Sequence, residues 1–121
     1  MRSVLPVLLL APLAAALLAS PAFAAQPFDG QWSVEVITEK GSCDQAYRWD
    51  IKVSEGHVVT TPDMPAKAAG SISPKGAIAV NFSRGADSMS AKGTASGNWA
   101  TGEWNAPSMG CTGRWRAERR A

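Results

Sequence analysis

The chain has 121 residues, a formal net charge of +2, one histidine, two cysteines and five tryptophans. That length allows one domain. The near-balanced charge argues against a nucleic-acid binder, and so few histidines and cysteines leave too few partners for an ordinary metal site.

At the N-terminus, Arg2 precedes an apolar run from Val4 to Ala19 and then Ser20-Pro21-Ala22-Phe23-Ala24. Charged, apolar and small-residue regions in that order predict a signal peptide over residues 1–24, cleaved after Ala24. A membrane anchor fits less well, because Pro6 and Pro12 interrupt the run and it falls short of the ~20 residues that cross a bilayer. No cysteine follows the cleavage site to carry a lipid. The mature chain, residues 25–121, is therefore expected to be soluble, periplasmic or secreted, without a transmembrane segment and with a charge near +1. A domain of this size buries only roughly 60 to 65% of its unfolded surface, so covalent help is useful. Export supplies it: Cys43 and Cys111 form an even pair in an oxidising compartment and are expected to be bridged.

From Trp32 onward the dominant period is two. Trp32, Val34 and Val36 alternate with Ser33 and Glu35; Tyr47, Trp49, Ile51 and Val53 alternate with Arg48, Asp50 and Lys52. Each run predicts a strand with one face to a core and one to water. Glu55-Gly56 is a two-residue turn, returning through His57 to Thr61. Pro62 and Pro65 mark a loop, since proline cannot donate to a ladder. Lys67 to Ser73 is a weak strand turned back by Pro74-Lys75-Gly76. Ile78, Val80 and Phe82 then share one face, as do Met89, Ala91, Gly93 and Ala95 after the turn at Arg84 to Asp87. A glycine-rich hairpin over Ser96 to Thr101 leads to Gly102-Glu103-Trp104, and the last strand carries Cys111, Gly113, Trp115 and Ala117 on one side. The fold class expected is all-β: an antiparallel meander of about eight strands closing into a barrel. Closure brings the first and last strands together, and the Cys43–Cys111 bond would tie them there.

Gly-x-Trp occurs four times, at Gly30-Gln31-Trp32, Gly97-Asn98-Trp99, Gly102-Glu103-Trp104 and Gly113-Arg114-Trp115. A glycine two positions before a large ring, on the same strand face, leaves space for that ring and lets the strand coil.

Catalysis is poorly supplied. His57 lies beside a turn without a nucleophile or metal cluster, and Asp44, Asp50 and Glu103 read as cross-strand partners of Arg48, Lys52 or Arg114 rather than an acid and base pair. An enzyme would need Asp50, Glu103 or His57 to converge in a cleft. No catalytic residue, metal ligand or cofactor is therefore expected. Binding has more support: the five tryptophans read first as core filling of a small barrel, and otherwise one or two of the candidates Trp49, Tyr47, Trp104 and Trp99 line a mouth for a small apolar or planar ligand. Trp99 is out of step with Trp104 and is expected to be exposed. Arg114, Arg116, Arg119 and Arg120 form a basic patch, read either as a solvated strand end or as a contact for phosphate, lipid headgroups or an acidic partner.

The opening Phe28-Asp29-Gly30-Gln31-Trp32, the Gly-x-Trp strands and the single disulfide resemble small secreted β-barrels of proteobacteria, the calycin-like type of the periplasmic metalloprotease inhibitors and the related outer-membrane lipoprotein domain. Lipocalin-like and avidin-like barrels are similar in strand plan. The resemblance implies a binding barrel and, in the inhibitor version, a free N-terminal segment at Ala25-Gln26-Pro27-Phe28; the cysteine placement departs from the short early loop that the inhibitors close. The function expected is a non-enzymatic exported barrel that binds a small apolar or planar ligand or another exported protein, with a protease-inhibitor-like or purely structural envelope role as alternatives. A protein partner predicts an exposed N-terminal segment or aromatic hairpin without a sizeable cavity; a small ligand predicts a Trp-lined cavity with a few unpaired polar groups.

Overall fold

A computed structural model describes residues 26–121, and the expected signal peptide lies outside them. Eight antiparallel strands form a closed barrel in the order of the sequence: β1 (Gly30–Lys40), β2 (Ala46–Ser54), β3 (His57–Val59), β4 (Lys67–Ile72), β5 (Ala77–Arg84), β6 (Asp87–Ser96), β7 (Trp99–Ala106) and β8 (Cys111–Arg119). A single 3-10 turn, Pro107–Met109, joins the last two. Closure is made by β1, which pairs with β2 from Gly30 to Ile37 and with β8 from Trp32 to Lys40. Every apolar position placed inward by the period of two lines the interior, including Trp32, Val36, Ile51, Val53, Ile78, Val80, Phe82, Met89, Trp104 and Trp115. Closure pairs the first and last strands and so removes the two outer edges that would otherwise template aggregation.

Cys43 and Cys111 are bonded, with Cα atoms 6.3 Å apart, inside the ordinary span of a disulfide. The bond joins the loop after β1 to the first residue of β8, beside a register shift between Thr38 and Lys40. Cys111 is 1% exposed, so the bridge is part of the packed wall.

The Gly-x-Trp repeat serves three purposes, and its principal one runs between strands. On β7 and β8, Trp104 stands opposite Gly113 and Gly102 opposite Trp115. A Cβ on Gly113 would lie 2.8 Å from Nε1 of Trp104, and one on Gly102 would lie 2.7 Å from the Trp115 ring. Each glycine thus makes room for the ring of the neighbouring strand, not for the ring two residues later in its own. Across the gap at Gly113, Trp104 Nε1 donates to the carbonyl of Ile37 on β1 at 3.0 Å. Trp115 lies over Gly102 and also Gly93 of β6, whose Cβ would come 2.6 Å from its ring. Gly30 instead sits where the C-terminal backbone crosses β1, and Gly97 supplies the positive φ of the β6–β7 turn.

Strand β3 is shorter than the expected His57 to Thr61. It pairs with β2 only at Lys52, Val53 and Ser54. Beyond Val59 the chain turns to β4, where the Thr60 hydroxyl accepts from the Ala68 N–H and donates to its carbonyl. Pro62 and Pro65 cannot continue a ladder. Among the described residues, β2 from Ala46 to Ile51 is therefore without a ladder partner on its β3 side, and the wall is incomplete at that end of the barrel.

Candidate functional site at the open end

The two ends of the barrel are built differently. At one end lie the turns at Glu55-Gly56, Ser73 to Gly76 and Gly97-Asn98, together with the segment before β1 and the C-terminus. Phe28 is buried there, and its carbonyl accepts from Trp32 Nε1 at 2.9 Å. Asp29 receives the backbone N–H groups of Glu55 (2.7 Å) and Gly56 (2.9 Å). Both residues of that turn have positive φ, 53° and 78°, the type I′ geometry a tight hairpin needs, and the carboxylate holds the non-glycine member in place.

Arg119 locks this end. Its guanidinium lies 5.2 Å from the Trp32 ring centroid and donates to the carbonyls of Pro27 (2.7 Å), Asp29 (2.9 Å) and Gly97 (3.1 Å) and to Asn98 Oδ1 (3.0 Å). Residues 26–29 are therefore packed into the closed end instead of standing free. The other arginines of the basic patch are paired as well: Arg114 with Glu39 at 2.8 Å, Arg116 with Glu35 at 2.6 Å and Arg120 with Glu118 at 3.2 Å. Two of these carboxylates come from β1, brought alongside by closure, and Arg119 faces carbonyls.

At the opposite end the loops Gly41 to Gln45 and Thr60 to Ala66 and the turns at Gly85-Ala86 and Pro107 to Gly110 surround an open cleft of about 450 Å³. Its apolar wall is made by Tyr47, Trp49, Phe82, Met89 and Met109, and its rim by Asp44, Arg84 and Asp87. Tyr47 and Trp49 follow from the inward parity of β2 and are half-buried because the wall beside them is incomplete. Their ring centroids are 5.6 Å apart, and Trp49 meets Phe82 edge to face at 5.0 Å. Such edge contacts hold the rings in place. Burial, and then the nearby Asp44 carboxylate, push the Tyr47 pKa above its usual 10.0. The phenol therefore stays protonated and able to donate.

Below the cleft, an interior cavity of about 70 Å³ is lined only by apolar side chains, with Trp49, Phe82 and Met89 shared between the two. For scale, a dry apolar cavity of about 150 Å³ takes one benzene. The barrel is thus filled below its mouth, and any ligand larger than a few atoms must sit at the open end.

The four rings that are candidates to line a mouth are divided. Tyr47 and Trp49 stand together at the mouth. Trp104 is 3% exposed and fills the core, because Gly113 opposite gives it room to cross to Ile37. Trp99, first in β7 and 60% exposed, is on the outer surface at the closed end, as its parity relative to Trp104 requires. Asp50 and Glu103 face outward on β2 and β7, and His57 is exposed at the closed end, so none of the three lines the cleft. Among the described residues no three metal-ligating side chains gather. No helix there is long and apolar enough to cross a membrane.

Phe82, Met89 and Met109 join the site without a local signal in the sequence, since only the barrel brings β5, β6 and the turn before β8 to the same rim. Set against protein-family models and curated proteins, the sequence matches none.

Proposed function

We propose that this chain is a non-enzymatic, exported binding protein that takes a small planar apolar ligand at the open end of its barrel. The observation that carries the reading is the inequality of the ends: one is plugged by Phe28 and clamped by Arg119, while the other leaves Tyr47 and Trp49 half-exposed over a cleft of about 450 Å³. Concave, largely apolar surfaces with a few polar groups are where small ligands bind. The Cys43–Cys111 bond is compatible with an oxidising compartment, periplasm or medium. Its resemblance to the calycin-like secreted barrels points the same way.

The test is a titration of the mature protein with N-phenyl-1-naphthylamine, a neutral planar dye that brightens in apolar sites. Saturable binding is expected, with a dissociation constant on the order of 10–100 μM. Trp49→Ala should abolish it and Trp99→Ala should leave it intact. Absence of saturable binding would sink the reading in favour of a structural envelope role. A second reading, docking of another exported protein, is favoured by the exposed Trp99 at the β6–β7 hairpin; it predicts that Trp99→Ala, and not Trp49→Ala, removes partner binding.

A further inference from the structure

The hydrogen-bond state of the tryptophans deepens the reading of the open end as a ligand site, and rests on it. Three indole N–H groups are engaged by backbone carbonyls: Trp32 by Phe28, Trp104 by Ile37 and Trp115 by Glu103, at 2.9, 3.0 and 3.3 Å. Among the described residues, neither the Trp49 indole N–H nor the Tyr47 hydroxyl has such a partner. The Trp99 indole has none either, but that ring is in open water. Trp49 and Tyr47 are half-buried and line the cleft, where water meets them in the unliganded protein.

A ligand lying against Trp49 displaces that water. Unless it accepts a hydrogen bond, it leaves a desolvated donor behind, which weakens binding considerably. An accepting oxygen at the ligand's edge reverses the effect. Charge narrows the class further: the rim carries two carboxylates, Asp44 and Asp87, against one guanidinium, Arg84, and so offers an anion no net attraction. Asp87 also accepts from the Ser108 hydroxyl at 3.1 Å, which holds it in place. Planarity is favoured by the lining itself: Tyr47, Trp49 and Phe82 stand in the cleft wall at tilts of 54° and 68° to their neighbours, and a flat aromatic frame gains face or edge contact with such rings.

We infer that the cleft takes a neutral, planar, conjugated ring system with a hydrogen-bond-accepting oxygen at its edge, of the aromatic ketone or quinone class, whose oxygen is capped by the Trp49 indole N–H and the Tyr47 hydroxyl. Hydrocarbons of the same shape bind less well. Carboxylated analogues gain nothing.

Fluorene and 9-fluorenone differ by one carbonyl on an otherwise similar flat frame and serve as the matched pair. Each is titrated into the mature, disulfide-bonded protein by displacement of N-phenyl-1-naphthylamine, alongside 9-fluorenone-2-carboxylate. Fluorenone is expected to bind roughly tenfold more tightly than fluorene. In the Trp49→Phe, Tyr47→Phe double variant the ratio should fall to about one. Equal affinity of the wild-type protein for the pair, or a ratio that survives in the double variant, overturns the inference while leaving dye binding, and so the ligand-site reading, standing. A carboxylate that binds tenfold more tightly than fluorenone overturns the neutral class. Failure of the dye itself to bind removes the site and the inference together. If the double variant does not fold, the wild-type ratio alone decides.

Discussion

The closed and open ends of this barrel use similar residues for opposite purposes. Each has an aromatic ring on an inward position near a strand end, Trp32 at one and Trp49 at the other, and each has an arginine nearby. At the closed end the arginine is saturated: Arg119 reaches three carbonyls and an amide and covers the Trp32 face. At the open end Arg84 makes no ion pair among the described residues, and Trp49 is held by a tilted contact with Tyr47 and an edge contact with Phe82. Where polar groups are satisfied within the chain, the structure is sealed and binding has nothing to gain. Where they are left to water beside apolar surface, a ligand can improve on what the protein does alone.

Cutting the tie that frames the open end should have the largest effect. Replacing Cys43 and Cys111 together by serine removes a cross-link spanning 68 residues and should lower stability by about 4 kcal/mol, read as a shift of the urea midpoint. A loss below about 1 kcal/mol would mean that strand pairing alone closes the barrel.

Next, the two arginines should separate the ends. Arg119→Met is expected to cost about 2 to 4 kcal/mol through several charge-assisted hydrogen bonds and the contact with Trp32, while Arg84→Met should stay within about 0.5 kcal/mol. Similar losses for both would erase the distinction. Smaller again, Asp29→Ala should cost about 1 to 2 kcal/mol by freeing the Glu55-Gly56 turn. Unchanged amide-exchange protection at those two N–H groups would show that the carboxylate does not hold them.

The finest test concerns Tyr47, the only tyrosine in the chain. Its phenol should titrate above 10.0 in ultraviolet absorbance, and Asp44→Asn should move the midpoint down by removing one of the two causes. Because the folded chain holds that proton more firmly than the unfolded one, the group leaves stability unaffected below pH 10 and lowers it only as the pH rises beyond. A midpoint at or below 10.0 would mean that the ring is better hydrated than its place in the cleft implies.

Much of the fold is legible in the residues themselves. Alternation in Tyr47-Trp49-Ile51-Val53 and Ile78-Val80-Phe82 declares which side faces inward, and the turns at Glu55-Gly56 and Pro74 to Gly76 lie where the composition puts them. The site is legible only in part. Tyr47 and Trp49 are recognisable as inward rings, but nothing near Trp104 in the chain says that Gly113 of the next strand will let it sink into the core. Nor does the arginine run reveal that Glu35 and Glu39 will lie beside Arg116 and Arg114.

Inward or outward placement follows from sequence by itself, as do the turn positions and the pairing of two cysteines, because strand parity has a period of two residues and needs no distant partner. Which end of the barrel is sealed is a tertiary outcome. It depends on the register of closure, which brings Arg119 to Pro27 and Asp29 across some ninety residues, and contacts of that range arise only once the sheet has joined itself.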